Sequence, residues 1–399
     1  MEHNIRIPSD VYFILNRLCE RGHTAHIVGG CVRDMLIGIE PGDYDITTSA
    51  TPEETKAAFS EFRTVDTGIK HGTVTLIYGG APYEITTYRT EGAYTDNRHP
   101  DSVSFTRTLE LDLSRRDFTV NAMCADKDGR LTDLFCGLEH IRLGVISAVG
   151  CAKERFSEDA LRILRAIRFS ATLGFQLDGQ TAAAARECSH LLKNISAERI
   201  YTEIHKLFSG KFAYRVISEY GDIIKAVIPE LSAISLPPED RFSAAGGGAR
   251  LVSLFVCGVD NPPQAFVDAM RALRTDTATR NRGAIALEYI NYPIETEADA
   301  LRLLYSVGGE QADFVAELKA LVFGETLAAE LISRAAASGV PYKIADMAVG
   351  GEAFVAEGFG GKRIGEAMQS ALFAIIDGKI GNNEAEIRSF IKELKTWEM

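Results

Sequence analysis

The sequence has no apolar run that approaches the roughly twenty residues of a membrane-spanning helix, so no membrane segment is expected. It opens Met1-Glu-His-Asn-Ile-Arg, without a basic-then-apolar signal, which predicts a cytoplasmic protein. Its seven cysteines are odd in number and include no Cys-x-x-Cys pair, which argues against a disulfide framework or a zinc site and fits a reducing compartment. The eight histidines form no cluster, no His-Asp dipeptide occurs, and no internal repeat stands out. Positive charge is also short: 43 Lys and Arg face 55 Asp and Glu, for a net charge of −12. A polyanionic partner would therefore need charge that is segregated locally. Residues 153–225 carry twelve basic and nine acidic side chains, a modest local excess of +3 that leaves −15 on the remainder.

What is present suffices for several cores. At 399 residues and 46% hydrophobic content, two to four domains are expected. Residues 1 to about 150 alternate helical and strand patterns: Asp10 to Arg21 is amphipathic, His71 to Tyr78 and Tyr83 to Tyr88 read as strands joined by a Gly-Gly-Ala-Pro turn, and Leu131 to Phe135 as another. From Glu154 onward helical periodicity dominates, with Leu236-Pro-Pro-Glu-Asp through Gly246-Gly-Gly-Ala249 expected as a loop that breaks it. The predicted class is α+β: a head with a small mixed sheet and helices, followed by an elongated all-helical neck, body and tail. The expected boundaries are 1–152, 153–215, 216–310 and 311–399.

The densest chemical signal is Ile27-Val-Gly-Gly-Cys-Val-Arg-Asp34 followed by Gly42-Asp-Tyr-Asp-Ile46. Gly29 and Gly30 let backbone approach a triphosphate without an intervening Cβ, and a helix from Val32 onward would turn its N-terminus to the anion, with Arg33 as a phosphate clamp. An extended backbone around Ile46 puts Asp43 and Asp45 on one face, where both can hold a hard cation such as Mg²⁺, with room for two metal ions. Glu84, on a strand of apolar and β-branched residues, is the candidate third acid; a water-facing edge glutamate is the alternative. In Glu158-Asp-Ala-Leu-Arg-Ile-Leu-Arg-Ala-Ile-Arg-Phe169, a helical wheel sets Glu158, Asp159, Arg162 and Arg165 on one side and Ala160, Ile163, Leu164 and Ile167 on the other.

Gly29-Gly-x-Val-Arg-Asp34 with Asp43-x-Asp45 resembles motif A of the class II tRNA nucleotidyltransferases, the CCA-adding enzymes, which share the DNA polymerase beta-like superfamily with bacterial poly(A) polymerases. Arg115-Arg-Asp-Phe-Thr-Val-Asn-Ala122, Asp133-Leu-Phe-Cys-Gly137, the Glu158 to Phe169 segment and Ser196-Ala-Glu-Arg-Ile-Tyr-Thr-Glu203 extend the likeness in the family's order, over roughly the first half of the chain. Gly360 to Glu366 and Gly378 to Asn383 look like its tail, less specifically.

The resemblance implies attack of a tRNA 3′-hydroxyl on the α-phosphorus of CTP or ATP, with two metal ions and release of pyrophosphate. It places Glu84 at the metals, Arg116 beside the triphosphate and Asn121 at the ribose or phosphate loop. Asp159 and Arg162 become a protein template. Cytosine and adenine both present an amino donor beside a ring-nitrogen acceptor, which a carboxylate and a guanidinium complement, whereas uracil and guanine present the opposite order. Arg165 and Arg168 would reach the nucleotide or hold that template. Thr90 to Asp101 looks like the flexible loop of members that add the terminal A, with Arg98 as its working residue. Expected partners are ATP, CTP, and the tRNA 3′ end and acceptor stem; the oligomeric state stays open. The alternatives are a poly(A) polymerase, an A-adding enzyme, or a non-catalytic RNA-binding protein with a vestigial fold.

Overall fold

The structure is a computed structural model and describes residues 5–92, 103–257 and 259–397. It divides into two compact units, residues 1–228 and 229–399.

The first unit is built on a seven-stranded sheet. Its strands are β1 (Ala25–Val28), β2 (Ile46–Thr48), β3 (Arg63–Gly68), β4 (Thr73–Tyr78), β5 (Ala81–Thr87), and, after the separate pair β6 (Arg89–Glu91) and β7 (Val103–Phe105), β8 (Met123–Ala125) and β9 (Leu131–Asp133). Their order is β3-β4-β5-β2-β1-β8-β9, with β2 and β5 parallel and every other neighbouring pair antiparallel. The Gly-Gly turn expected between β4 and β5 is present as Gly79 and Gly80, both at positive φ (59° and 85°), the hand that a two-residue hairpin needs.

Alternation along the strands separates the sheet's two faces. Ile27, Ile46, Leu76 and Ile85 face one core together with Met123 and Ala125, and meet Val11, Ile14, Leu15 and Leu18 of α1 (Ser9–Glu20), Val32 of α2 (Gly30–Leu36) and Ala58 of α3 (Pro52–Ala58). Val28 and Cys124 face the other way, against Leu113 of α4 (Leu109–Ser114). The carboxylates at issue lie on this second side, because Asp45 and Glu84 flank inward-facing Ile46 and Ile85.

After α5 (Gly137–Leu143) the unit becomes helical: α6 (Ala152–Glu158), α7 (Leu161–Leu173), α8 (Gly179–Glu187), α9 (Ala197–Ser209) and α10 (Ala213–Val227), with a short parallel pair β10 (Val145–Ile146) and β11 (Gln176–Leu177). Helix α7 packs against α9 and α10 and buries Ile163, Leu164, Ala166, Ile167 and Phe169. Helix α10 continues across residue 215, where a boundary was expected, and the unit closes after it.

In its described residues the second unit is helical, from α11 (Glu239–Ala244), α12 (Gly247–Ser253), α13 (Pro262–Ala272), α14 (Thr277–Glu288) and α15 (Glu297–Val307) to α16 (Gly309–Phe323), α17 (Leu327–Ala337), α18 (Gly351–Ala356), α19 (Lys362–Ile376) and α20 (Glu384–Trp397). The loop expected at 236–249 is not a continuous loop. Acidic Glu239 and Asp240 favour a first turn after Pro238, and α12 starts within the glycine run, where a Cβ added at Gly248 would sit 3.8 Å from the Phe314 ring. Among the described residues no helix is long and apolar enough to cross a membrane.

Candidate active site

Asp43 and Asp45 lie just before β2 rather than within it: the strand begins at Ile46. The ladder nevertheless extends to them, since Val28 N–H donates to the Asp45 carbonyl at 3.0 Å. Register then completes the group. Ile46 pairs with Ile85 in the parallel β2–β5 ladder, so Asp45 and Glu84 occupy the preceding, adjacent positions on the same face. Burial pushes the Asp45 carboxyl up from its ordinary value, Asp43 and Glu84 push it further in the same direction, and Arg116 opposes them. Burial likewise lifts the neighbouring Cys31 thiol to about 11, with Asp45 adding to the shift, so it stays protonated.

Asp43 and Glu84 both act on Asp45 as like charges, opposed by the Arg116 guanidinium, and such oxygen-only repulsion is relieved by a hard cation. The chemistry of these residues fits Mg²⁺, which Asp43 and Asp45 would hold. Among the described residues no three acids, histidines or cysteines converge closely enough to form a finished ligand cage.

Gly29 closes the opposite side. Its φ of 83° and ψ of −129° suit glycine alone, and a Cβ there would come 3.2 Å from Arg116 Nη1. Gly30 begins α2, two residues earlier than expected, and has no such constraint: a Cβ would sit at an ordinary 3.6 Å from Arg33 Nη2. Arg116 pairs with buried Asp112 at 3.3 Å, while its Nε is buried with no hydrogen-bond partner among the described residues.

Arg33 departs from the expected free phosphate clamp. It is buried, donates Nε and Nη2 to Asp34 Oδ1 at 2.9 and 2.7 Å, and donates Nη1 to Asn121 Oδ1 at 2.6 Å. Asn121, also buried, passes the connection on by donating to Asp117 at 3.1 Å. Asp117 pairs with Arg165, and Glu203 pairs with Arg168 at 2.7 Å and Arg165 at 3.8 Å. Three guanidiniums surround the Phe169 ring: Arg33, Arg165 and Arg168 lie 5.0, 5.4 and 3.8 Å from its centroid.

The wheel drawn through Glu158 to Phe169 is broken. Helix α6 ends at Glu158, Asp159 is extended (φ −133°, ψ 102°), and α7 begins at Leu161. The cause is local competition: the Asp159 side chain accepts from Leu161 N–H at 3.0 Å, an Asx-type turn at the entry to the next helix that replaces continuation of the last. Its other oxygen accepts from Arg199 at 2.9 Å. Arg162, buried, donates to Glu158 at 2.7 Å and to the carbonyls of Arg155 and Arg115 at 3.2 and 3.1 Å. Arg162, Arg165 and Arg168 do share one α7 face at three-residue spacing. Arg98 lies outside the described residues.

Four contributors were not singled out in the sequence: Asp112, Asp117, Arg199 and Glu203. Asp117, Arg199 and Glu203 lie inside the family-like motifs, and for the acids the available signal was their place in runs that bury apolar neighbours.

Residues 25–147 match the family model described as the poly A polymerase head domain, and 174–234 the probable RNA and SrmB-binding site of polymerase A. A CCA-adding enzyme of Lactobacillus delbrueckii subsp. bulgaricus is 36% identical over 97% of this chain and 99% of its own. The chain belongs to the CCA-adding enzyme family. One from Streptococcus pyogenes is also 36% identical, over 95% of both chains. A crystal structure of the Bacillus stearothermophilus CCA-adding enzyme in complex with CTP superimposes with a TM-score of 0.83 at 33% identity, covering 98% of each chain. Membership in the CCA-adding family accounts for the head and for the helical half in one match.

Proposed function

We propose that this protein adds CCA to the 3′ end of tRNA from CTP and ATP, releasing pyrophosphate. The observation that carries it is the meeting of Asp43, Asp45 and Glu84 opposite Gly29 and Arg116, in a chain similar to CCA-adding enzymes over nearly its whole length. Asp43 and Asp45 would hold Mg²⁺, which when bound would supply charge neutralisation for the triphosphate and activation of the attacking hydroxyl. Glu84 orients the tRNA 3′-hydroxyl at the edge of this pair. Arg116, with a donor left over at Nε, takes the triphosphate as a planar, permanently charged fork. The open backbone at Gly29 admits the phosphates without a Cβ in the way.

Asp159 and Arg162 select the base. The Asp159 carboxylate accepts from the exocyclic amine of cytosine or adenine, exchanging Arg199 for it, and Arg162 donates to the ring nitrogen. Uracil or guanine leaves both side chains mismatched, at a cost of about 1–3 kcal/mol per unmet buried group. Arg165 and Arg168 hold this reader in place through Asp117 and Glu203, with Asn121 and Arg33 tying it to the head. The helical half supplies the surface for the acceptor stem.

The test is to incubate the protein with Mg²⁺ and tRNA transcripts ending before CCA, after C and after CC, give each nucleotide separately and together, and sequence the products. CCA addition followed by a stop, lost in Asp45→Ala, is the expected result. A alone on the CC-ended transcript would make it an A-adding enzyme, long A tails a poly(A) polymerase, and RNA binding without elongation a non-catalytic protein.

A further inference from the structure

We infer that Asp112 is the positioning residue that couples the triphosphate side of the site to its base-reading side. The inference rests on the function proposed above and concerns a residue that touches no substrate in it. Asp112 is wholly buried, on α4, beneath the face that carries the acidic group. A buried carboxylate is costly unless every lone pair has a partner. Here the partners come from three parts of the site. Thr47 Oγ1 donates to Oδ2 at 3.1 Å, and Thr47 stands on β2 two residues after Asp45. Arg116 donates Nη2 to the same oxygen at 3.3 Å. Oδ1 accepts from Arg115 Nε and Nη2, at 3.0 and 2.7 Å, and from Arg89 N–H at 3.3 Å.

Two of these contacts lead onward. Arg116 lies against Gly29 and acts on the Asp45 carboxyl, so one oxygen of Asp112 fixes the strand and the cation that flank the carboxylates. The Arg115 side chain is held by the other oxygen, and its backbone carbonyl accepts from Arg162 Nη2 at 3.1 Å. A single buried side chain thus sets the spacing between the phosphate-side arginine and the base-side arginine. Burial alone would raise its carboxyl, but Arg115 and Arg116 outweigh burial and hold it below the ordinary value, so it stays charged at neutral pH.

A plain structural ion pair predicts something different. It would stabilise the fold, and its loss would lower melting temperature while leaving nucleotide choice intact. A positioning role predicts that weakening Asp112 moves Arg116 and Arg162 relative to each other, and so changes nucleotide KM and base discrimination together. Discrimination is the sharper readout, since it compares two nucleotides on the same folded protein and cancels any loss of active fraction.

The experiment compares wild type, Asp112→Asn and Arg115→Lys on tRNA transcripts lacking CCA, measuring kcat and KM for CTP, kcat/KM for UTP, and melting temperature. Asn keeps the shape and loses the charge; Lys keeps the charge and loses the fork. The expected result for each variant is a KM for CTP raised about tenfold and a CTP-over-UTP preference reduced about tenfold. If Asp112→Asn does not fold, Arg115→Lys alone carries the test, because that side chain is partly exposed. Variants that melt lower but keep the wild-type KM and preference would overturn the inference while the proposed function stands. A wild type that elongates no transcript would overturn both.

Discussion

Asp117 and Arg165 form an ion pair in which Nε and Nη2 both approach one carboxylate oxygen, at 2.9 and 2.8 Å. The other oxygen accepts from Asn121 at 3.1 Å and from Phe118 N–H at 2.8 Å. The sheet portion and helix α7 are thereby stitched together by one largely buried acid.

That acid sets a pH dependence. Burial would raise its carboxyl, but Arg165 and the hydrogen bonds bring it down from 3.8 to about 2. A depressed folded value means that the stabilisation is complete above about pH 4 and is lost as pH falls toward about 2, an effect of about 2 kcal/mol. Asp117→Asn should remove this amount at neutral pH and flatten the decline on acidification. Urea unfolding across the acid range checks it, and parallel wild-type and variant curves would contradict it.

Asp45 has the opposite sign. Its carboxyl is raised in the folded protein, so its ionised form costs stability at neutral pH that a bound cation relieves. Asp45→Asn is expected to melt at a higher temperature than wild type in the absence of divalent ions while losing nucleotide addition. Added Mg²⁺ should raise the wild-type melting temperature and leave the variant unmoved. A variant that melts lower than wild type without metal would sink this account of the charge cluster.

The two glycines of the turn should behave differently. Gly29→Ala forces a side chain into a positive-φ conformation at a cost of about 1–3 kcal/mol and crowds Arg116, so both stability and transfer should fall. Gly30→Ala adds a methyl at ordinary contact distance within a helix and should change stability by less than about 1 kcal/mol. Thermal melts of the pair decide the matter; equal losses would contradict this geometry.

Arg33 is tested by its conservative replacement. Lysine cannot span Asp34 and Asn121 at once, so Arg33→Lys should cost about 2–4 kcal/mol of stability, much as removing one partner of a buried pair does. Its KM for CTP should change far less than that of Arg116→Lys. The reverse ranking would restore Arg33 as a direct phosphate ligand.

Much of the head could be read from residues alone. The Gly-Gly hairpin and the amphipathic first helix are local patterns, and local patterns survive folding when the core agrees with them, whereas the adjacency of Glu84 and Asp45 depends on the long-range register of β2 and β5. Asp159 shows where that stops. A helical wheel assumes unbroken helix, whereas a short acidic side chain can satisfy a backbone N–H and start a new one. Arg33 shows a second limit: sequence marks a guanidinium near a phosphate loop but not whether Asp34 and Asn121 have already claimed its donors. Asp112 lies just ahead of the Arg115 to Ala122 motif and carries no sequence signal of its own, because its partners Thr47 and Arg89 converge on it only in three dimensions.

The parallel pairing of β2 with β5 has a consequence for the chain as it is made. Ile46 meets Ile85 only after β3 and β4 have been laid down between them, so Asp45 and Glu84 have no shared neighbourhood in any shorter fragment. Loop closure over that distance must come before the acids repel one another. A nascent chain that has not yet released β5 therefore carries Asp43 and Asp45 with only their mutual repulsion, and gains the third acid only when the second strand docks.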